Sequence, residues 1–157
     1  MSMDDVYSKP GYLFRRAQQI AVAIFMEECA ALDLTPVQYA ALVAIREHAG
    51  LDATRLSALV AFDRSTLGDV LERLEQKNFI LRQPSPEDKR VKLLHPTPRG
   101  RKVLTDVMPA MERAQARMLA PLKPSDRQLL LRLLGELVEG NNEVSRAPLR
   151  AGSARRG

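Results

Sequence analysis

The tightest constraint in this chain is a change of period at residue 78. Before it, Leu67, Val70, Leu71 and Leu74 recur at helical spacing behind Asp63, a residue suited to capping free backbone N–H groups, so residues 64–77 read as an amphipathic helix. After it, Phe79–Gln83 and Arg90–His95 read as strands around Pro84–Lys89, which holds two prolines, a serine and three charges. Asn78 stands between them, where a left-handed residue closes a helix. A helix that runs straight into a hairpin with a charged tip leaves few folds open.

The rest of the chain reads as helices. Leu13, Ala17, Ile20, Ala21, Ile24 and Phe25 form a helical stripe within 12–32, a stretch free of proline and glycine. Thr35-Pro36 is a helix start, because the hydroxyl caps and proline at the first position gives up no needed donor; that helix ends before Gly50. Asp52 caps a short helix, 53–60, so two short helices joined by a few residues give a helix-turn-helix outline. Thr97-Pro98 opens another helix, kinked at Met108-Pro109, and a last one runs from Pro124 or Ser125 to about Glu139 with a broad leucine stripe. Residues 1–10 read as a flexible arm, and 141–157, with Arg146, Arg150, Arg155 and Arg156, as a basic disordered tail. Aromatic content of 4% and the absence of Trp suit packed helices better than a β-sandwich. The expected class is mainly α with a small β-hairpin, a single domain over 11–140.

Charge is local. The chain nets +5, and residues 82–102, with seven basic and two acidic side chains, account for the same +5. A solvated basic surface would carry this charge equally well, so charge alone does not choose a partner. Cys29 is the sole cysteine, which excludes an intramolecular disulfide and a cysteine metal cluster. Two histidines, no glycine-rich phosphate loop, no metal-ligand spacing and no nucleophile paired with a base argue against an enzyme, a cofactor or a metal site. Acidic residues precede any apolar run at the N-terminus, and no stretch is long enough to span a membrane, so the cytoplasm is the expected compartment.

The second helix of a helix-turn-helix fits the major groove of duplex DNA and offers its first turns to base edges. Here the outward residues are Arg64, Ser65, Thr66, Gly68, Asp69 and Arg73. Arg64 suits a guanine edge or a phosphate, Ser65 and Thr66 suit phosphate or base acceptors, and Gly68 leaves room for close approach. An amphipathic helix with an ordinary polar face would look the same, and the basic hairpin immediately downstream tips the balance. Its tip is suited to the adjacent minor groove, and Asp88, two residues from Arg90, can hold that guanidinium in position.

Three separated motifs, LTPVQYAAL (34–42), DRSTLGDVLERLEQKNFILRQPSPEDKR (63–90) and TPRG (97–100), resemble the MarR (multiple antibiotic resistance regulator) family of winged-helix repressors, over about residues 12–140. The resemblance implies that Arg64–Arg73 read the major groove and that Asp88 and Arg90, with Lys89, form the wing contact. It also implies that the helices at 12–32 and 97–139 pair two subunits, flanking a winged helix-turn-helix at 53–95. Asn78 stands where family members usually carry Gly, and Lys89 where Arg is frequent. The surplus apolar surface on the first and last helices argues independently for a homodimer, which would read an inverted-repeat operator.

Family members often release DNA on binding small aromatic acids. The groups that could meet one are Tyr12, Arg15, Arg16, Tyr39 and His48, with a guanidinium pairing the carboxylate. The stretch LDLTPVQYAALVAIREH resembles regulators of nicotinate or aromatic-acid catabolism, which implies a hydroxylated nicotinate or benzoate as effector. Other members sense oxidants through a cysteine early in the first helix, whereas Cys29 lies near its end behind Glu27-Glu28, which would raise its pKa. A nucleic-acid or interaction module without sequence specificity is the remaining alternative.

Overall fold

A computed structural model describes residues 2–150, with helices α1 (Met3–Tyr7), α2 (Pro10–Glu28), α3 (Pro36–Glu47), α4 (Ala53–Val60) and α5 (Arg64–Gln76), strands β1 (Ile80–Pro84) and β2 (Lys92–Pro96), and helices α6 (Pro98–Asp106), α7 (Met108–Leu119) and α8 (Pro124–Gly140). The expected mainly α class with one hairpin is what folds. Helix starts follow local chemistry. Thr35 and Gln38 form a reciprocal capping box on α3, and the carboxylates of Asp52 and Asp63 each accept a backbone N–H at 2.8 Å, from Arg55 and Thr66.

The change of period at residue 78 is built as a Schellman end. The Phe79 N–H donates to Leu74 and the Asn78 N–H to Glu75, both at 2.9 Å, while Asn78 takes φ 57°. The chain then enters β1, which pairs antiparallel with β2 in the register Ile80 to Pro96 through Pro84 to Lys92. Leu51, ahead of α4, bridges Leu94 and lends the hairpin a third short edge. Thr97 anchors the foot of the hairpin. Its hydroxyl donates to the Asn78 carbonyl at 2.6 Å and accepts the Gly100 N–H at 2.9 Å, and its own N–H donates to Phe79 O. Gly100 is obligatory there, because a Cβ at this position would lie 2.1 Å from the Phe79 carbonyl oxygen.

One apolar core holds this lobe together, with Leu42, Ile45, Leu56, Leu74, Ile80, Leu94 and Leu104 essentially solvent-free. Because Val103 and Leu104 belong to it, α6 is part of the winged lobe, although the sequence reading grouped 97–139 with the pairing helices. A smaller cluster of Phe25, Cys29, Val107 and Ala110 joins α2 to α7. The helix expected over 12–32 ends earlier, at Glu28, and tightens into a 3-10 turn over Ala30–Leu32 before the left-handed Asp33.

Both ends of the chain differ from the sequence reading. Residues 3–7, expected as arm, form a helical turn because Ser2 and Asp5 cap each other reciprocally. Of the segment expected as a tail, residues 141–150 fold into turns against the lobe, while 151–157, including Arg155 and Arg156, lie outside the described residues. Helix α8 buries no residue, and Leu129, Leu131, Leu133, Leu137 and Val138 are all exposed.

Candidate nucleic-acid interface

Helix α5 buries Leu67, Val70, Leu71 and Leu74 and turns Arg64, Ser65, Gly68, Asp69 and Arg73 to solvent, with Thr66 half-buried. The polar groups of its first turn are partly committed. Asp63 accepts from the Thr66 N–H and from the Ser65 hydroxyl at 3.0 Å, so Ser65 presents lone pairs rather than its proton. The same bonds, the Thr66 backbone contact first, hold the Asp63 carboxyl below its usual range. A Cβ at Gly68 would meet nothing within 4 Å, so the bare surface there is no demand of packing. Glu72 and Gln76 extend the exposed row; Asp69 and Glu72 put acidic acceptors among the basic groups.

At the hairpin tip, Asp88 and Arg90 form a fork. The Asp88 carboxylate takes the Arg90 backbone N–H at 3.0 Å and its Nε and Nη2 at 3.1 Å each. These bonds, led by the guanidinium, lower the Asp88 pKa, and they aim an arginine side chain that is 91% exposed. Lys89, beside it, is exposed. The tip is closed by the Val91 N–H to Asp88 O and the Ser85 N–H to Val91 O, both at 2.9 Å.

Two further contacts fix the hairpin and the helix relative to their surroundings, and neither was visible in the sequence. Arg82 on β1 donates through Nε to Glu75 on α5 at 2.7 Å, tying the wing to the helix. Lys77, at the end of α5, donates to Asp33 O at 2.6 Å and to Gln38 Oε1 at 3.0 Å, which locks α5 to the start of α3. Separations of 7, 44 and 39 residues obey no local spacing rule, so no signal in the sequence pairs these groups.

The five residues expected to meet an effector fall into two groups. Tyr12 packs at a tilt against Tyr7 with ring centroids 5.3 Å apart, and the Arg15 guanidinium lies 5.1 Å over the Tyr12 ring; Arg16 is exposed next to it. Tyr39 and His48 instead line a cleft of about 470 Å³ between α3 and α4, with Val43, Glu47 and Leu59. Tyr39 also borders a smaller apolar cleft of about 170 Å³, with Phe25, Met111 and Met118. Among the described residues, no arginine lines either cleft. Tyr39 packs on Phe25, and thirteen residues of helix put Tyr12 about 20 Å from that point. Cys29 is buried, and burial first, then the charge of Glu28, pushes its thiol pKa up, which disfavours the thiolate an oxidant sensor needs.

The MarR family profile matches residues 34–92, the run from α3 into β2. A putative transcriptional regulatory protein for the hcr operon of Thauera aromatica is 32% identical over 135 residues, spanning 85% of this chain and 81% of that protein. The chain belongs to the MarR family. A second relative, the HTH-type transcriptional repressor NicR of Pseudomonas putida, is 27% identical over 140 residues, 89% of each chain. Among solved structures, Bordetella bronchiseptica BpsR, described for regulation of its DNA binding by 6-hydroxynicotinic acid, superposes with a TM-score of 0.77 at 28% identity, covering 85% of this chain and 95% of BpsR. The repressor CouR, bound to a 23-mer DNA duplex, gives a TM-score of 0.78 at 26% identity over 88% of this chain and 98% of CouR. Like its MarR relatives, this chain is a DNA-binding transcriptional regulator and not an enzyme. No helix among the described residues is long and apolar enough to cross a membrane.

Proposed function

We propose that this MarR-family chain is a cytoplasmic homodimeric repressor that holds an inverted-repeat operator through α5 and the wing and releases it on binding a small aromatic acid. The observation that carries the reading is the Asp88–Arg90 fork: an exposed arginine preset by a carboxylate, on a hairpin tied by Glu75 and Arg82 to a capped helix. In this reading Arg64, Ser65, Thr66, Gly68, Asp69 and Arg73 meet the major groove, and Asp88, Lys89 and Arg90 serve the minor groove. The exposed apolar residues of α2 and α8 support pairing of two subunits. Two-fold symmetry then sets half-sites about 10–10.5 base pairs apart.

The effector in this reading is of the hydroxynicotinate or benzoate type, and the hydroxynicotinate choice is supported by BpsR, whose DNA binding is regulated by 6-hydroxynicotinic acid. Tyr39 and His48 give such a ring a wall, while Tyr12, Arg15 and Arg16 stand about 14–20 Å along α2 from Phe25, on which Tyr39 packs. In this reading a site that uses both groups is completed by the second subunit of the dimer. The test is competition between a palindromic promoter duplex and random duplex at physiological salt, with and without 6-hydroxynicotinate. The expected result is a preference for the palindrome of at least about a thousandfold, reduced by the acid. Equal binding of both duplexes would leave only a non-specific nucleic-acid module, and an acid-insensitive preference would remove the effector.

A further inference from the structure

Beyond α8, residues 141–150 fold into a clasp that the DNA-binding reading does not use. The Asn142 side-chain amide donates to Leu149 O at 3.2 Å and accepts the Leu149 N–H at 2.8 Å, gripping one backbone unit from both sides. Arg150 closes the loop on Glu143, with Nη2 2.8 Å from Oε2 and a second bond from Nη1 to Oε1. The clasp is pinned to the winged lobe, where the Arg150 N–H donates to the Ala58 carbonyl at 2.7 Å. Ala61, Leu137, Val138, Val144 and Leu149 line an apolar seam between the clasp and α4.

Ala61 is the left-handed residue that ends α4, two residues before Asp63, the N-cap of α5. The seam therefore lies at the turn of the helix-turn-helix. Arg146 is exposed, and its charge reaches the Asp63 carboxylate, adding to the hydrogen bonds that already favour its ionised form. Arg150 is spent on Glu143, whereas Arg146 has no ion-pair partner among the described residues. The geometry also answers an electrostatic problem. The cap that starts α5 sets a negative charge at the end of the helix that approaches phosphates, and a cation beside it offsets that charge.

We propose that the 141–150 clasp is a third DNA contact on each subunit, holding Arg146 against a backbone phosphate next to the N-terminus of α5. The contact rests on the DNA-binding reading above. Its partner is the sugar–phosphate backbone, since a lone guanidinium outside the two grooves meets phosphate oxygens and no base edge.

The experiment measures binding to operator and random duplexes across a salt series for the parent and for Arg146→Ala, Asn142→Ala and Arg132→Ala. Arg132→Ala removes the same charge from α8, where Arg132 is paired with Glu136. Arg146→Ala is expected to weaken both duplexes several-fold alike and to lower the slope of log K against log salt by about 0.9 for each phosphate left unneutralised. Asn142→Ala, which opens the clasp and keeps every charge, should lower the slope in the same direction, and Arg132→Ala should leave it unchanged. A parental slope in Arg146→Ala or Asn142→Ala, an equal loss in Arg132→Ala, or tighter binding by Arg146→Ala would overturn the proposal. Failure of the parent itself to bind duplex DNA would instead overturn the DNA-binding reading beneath it.

Discussion

The winged lobe and the helices outside it are built to different standards. Helices α3, α4, α5 and α6 each begin with a side-chain cap, from Thr35, Asp52, Asp63 and Thr97, and each contributes buried residues to one core. Helices α2, α7 and α8 carry a proline at their first or second position and no side-chain cap, and α8 buries nothing. Side-chain caps contribute about 1 kcal/mol apiece, so the lobe is specified locally as well as by its core. The outer helices lean on tertiary contacts, and a single chain leaves much of their apolar surface uncovered. The lobe is a finished part; the outer helices leave apolar faces open.

The sharpest way to break that contrast is to remove equivalent leucines. Leu56→Ala in the lobe should cost about 2–5 kcal/mol in chemical denaturation at any protein concentration. Leu133→Ala on exposed α8 should leave that baseline intact and lower the association constant seen by sedimentation. Equal behaviour of the two variants would erase the distinction. Gly100→Ala tests the foot of the wing, where the added methyl meets the Phe79 carbonyl; the expected loss is about 1–3 kcal/mol, with weaker duplex binding.

Arg90→Ala should leave the melting temperature unchanged and weaken duplex binding on the order of tenfold, because the exposed Arg90 side chain lies outside the core and the proposed reading sets it on DNA. A fall in stability with no change in binding would reverse that assignment. The smallest effect concerns the outer helices. Glu28 on α2 accepts from Arg117 Nη1 at 2.7 Å and from Arg113 Nε at 2.8 Å on α7, and these bonds lower its pKa. A lowered folded-state pKa means that the stabilisation is fully present above the unfolded value of about 4.3 and is lost as pH falls through the folded value. Glu28→Gln should flatten stability against pH in that acid window, and an unaltered acid transition would remove the α2–α7 ion pairs from the account.

Much of the candidate site's geometry was legible because its signals are local. Asp63, the stripe behind it, Asn78 and the Asp88-x-Arg90 spacing all act within a few residues, and each takes the conformation its chemistry favours. The placement of Tyr39 apart from Arg15 was not legible, since it depends on where along α2 the chain folds back. The same holds for the clasp, whose composition of Arg, Ser, Ala and Pro reads as disorder until Asn142 and the Ala58 carbonyl are seen to hold it.

From its residues alone, this chain fixes where the helices of the winged lobe start, where the wing begins and which face of α5 stays polar, because caps, turns and periodicity are short-range. Only the folded chain decides that Glu75 holds Arg82, that Lys77 grips the start of α3 and that the C-terminal clasp reaches the helix-turn-helix. Those contacts follow no local spacing, and which of the many compatible donors and acceptors meet is settled by packing of the core between them.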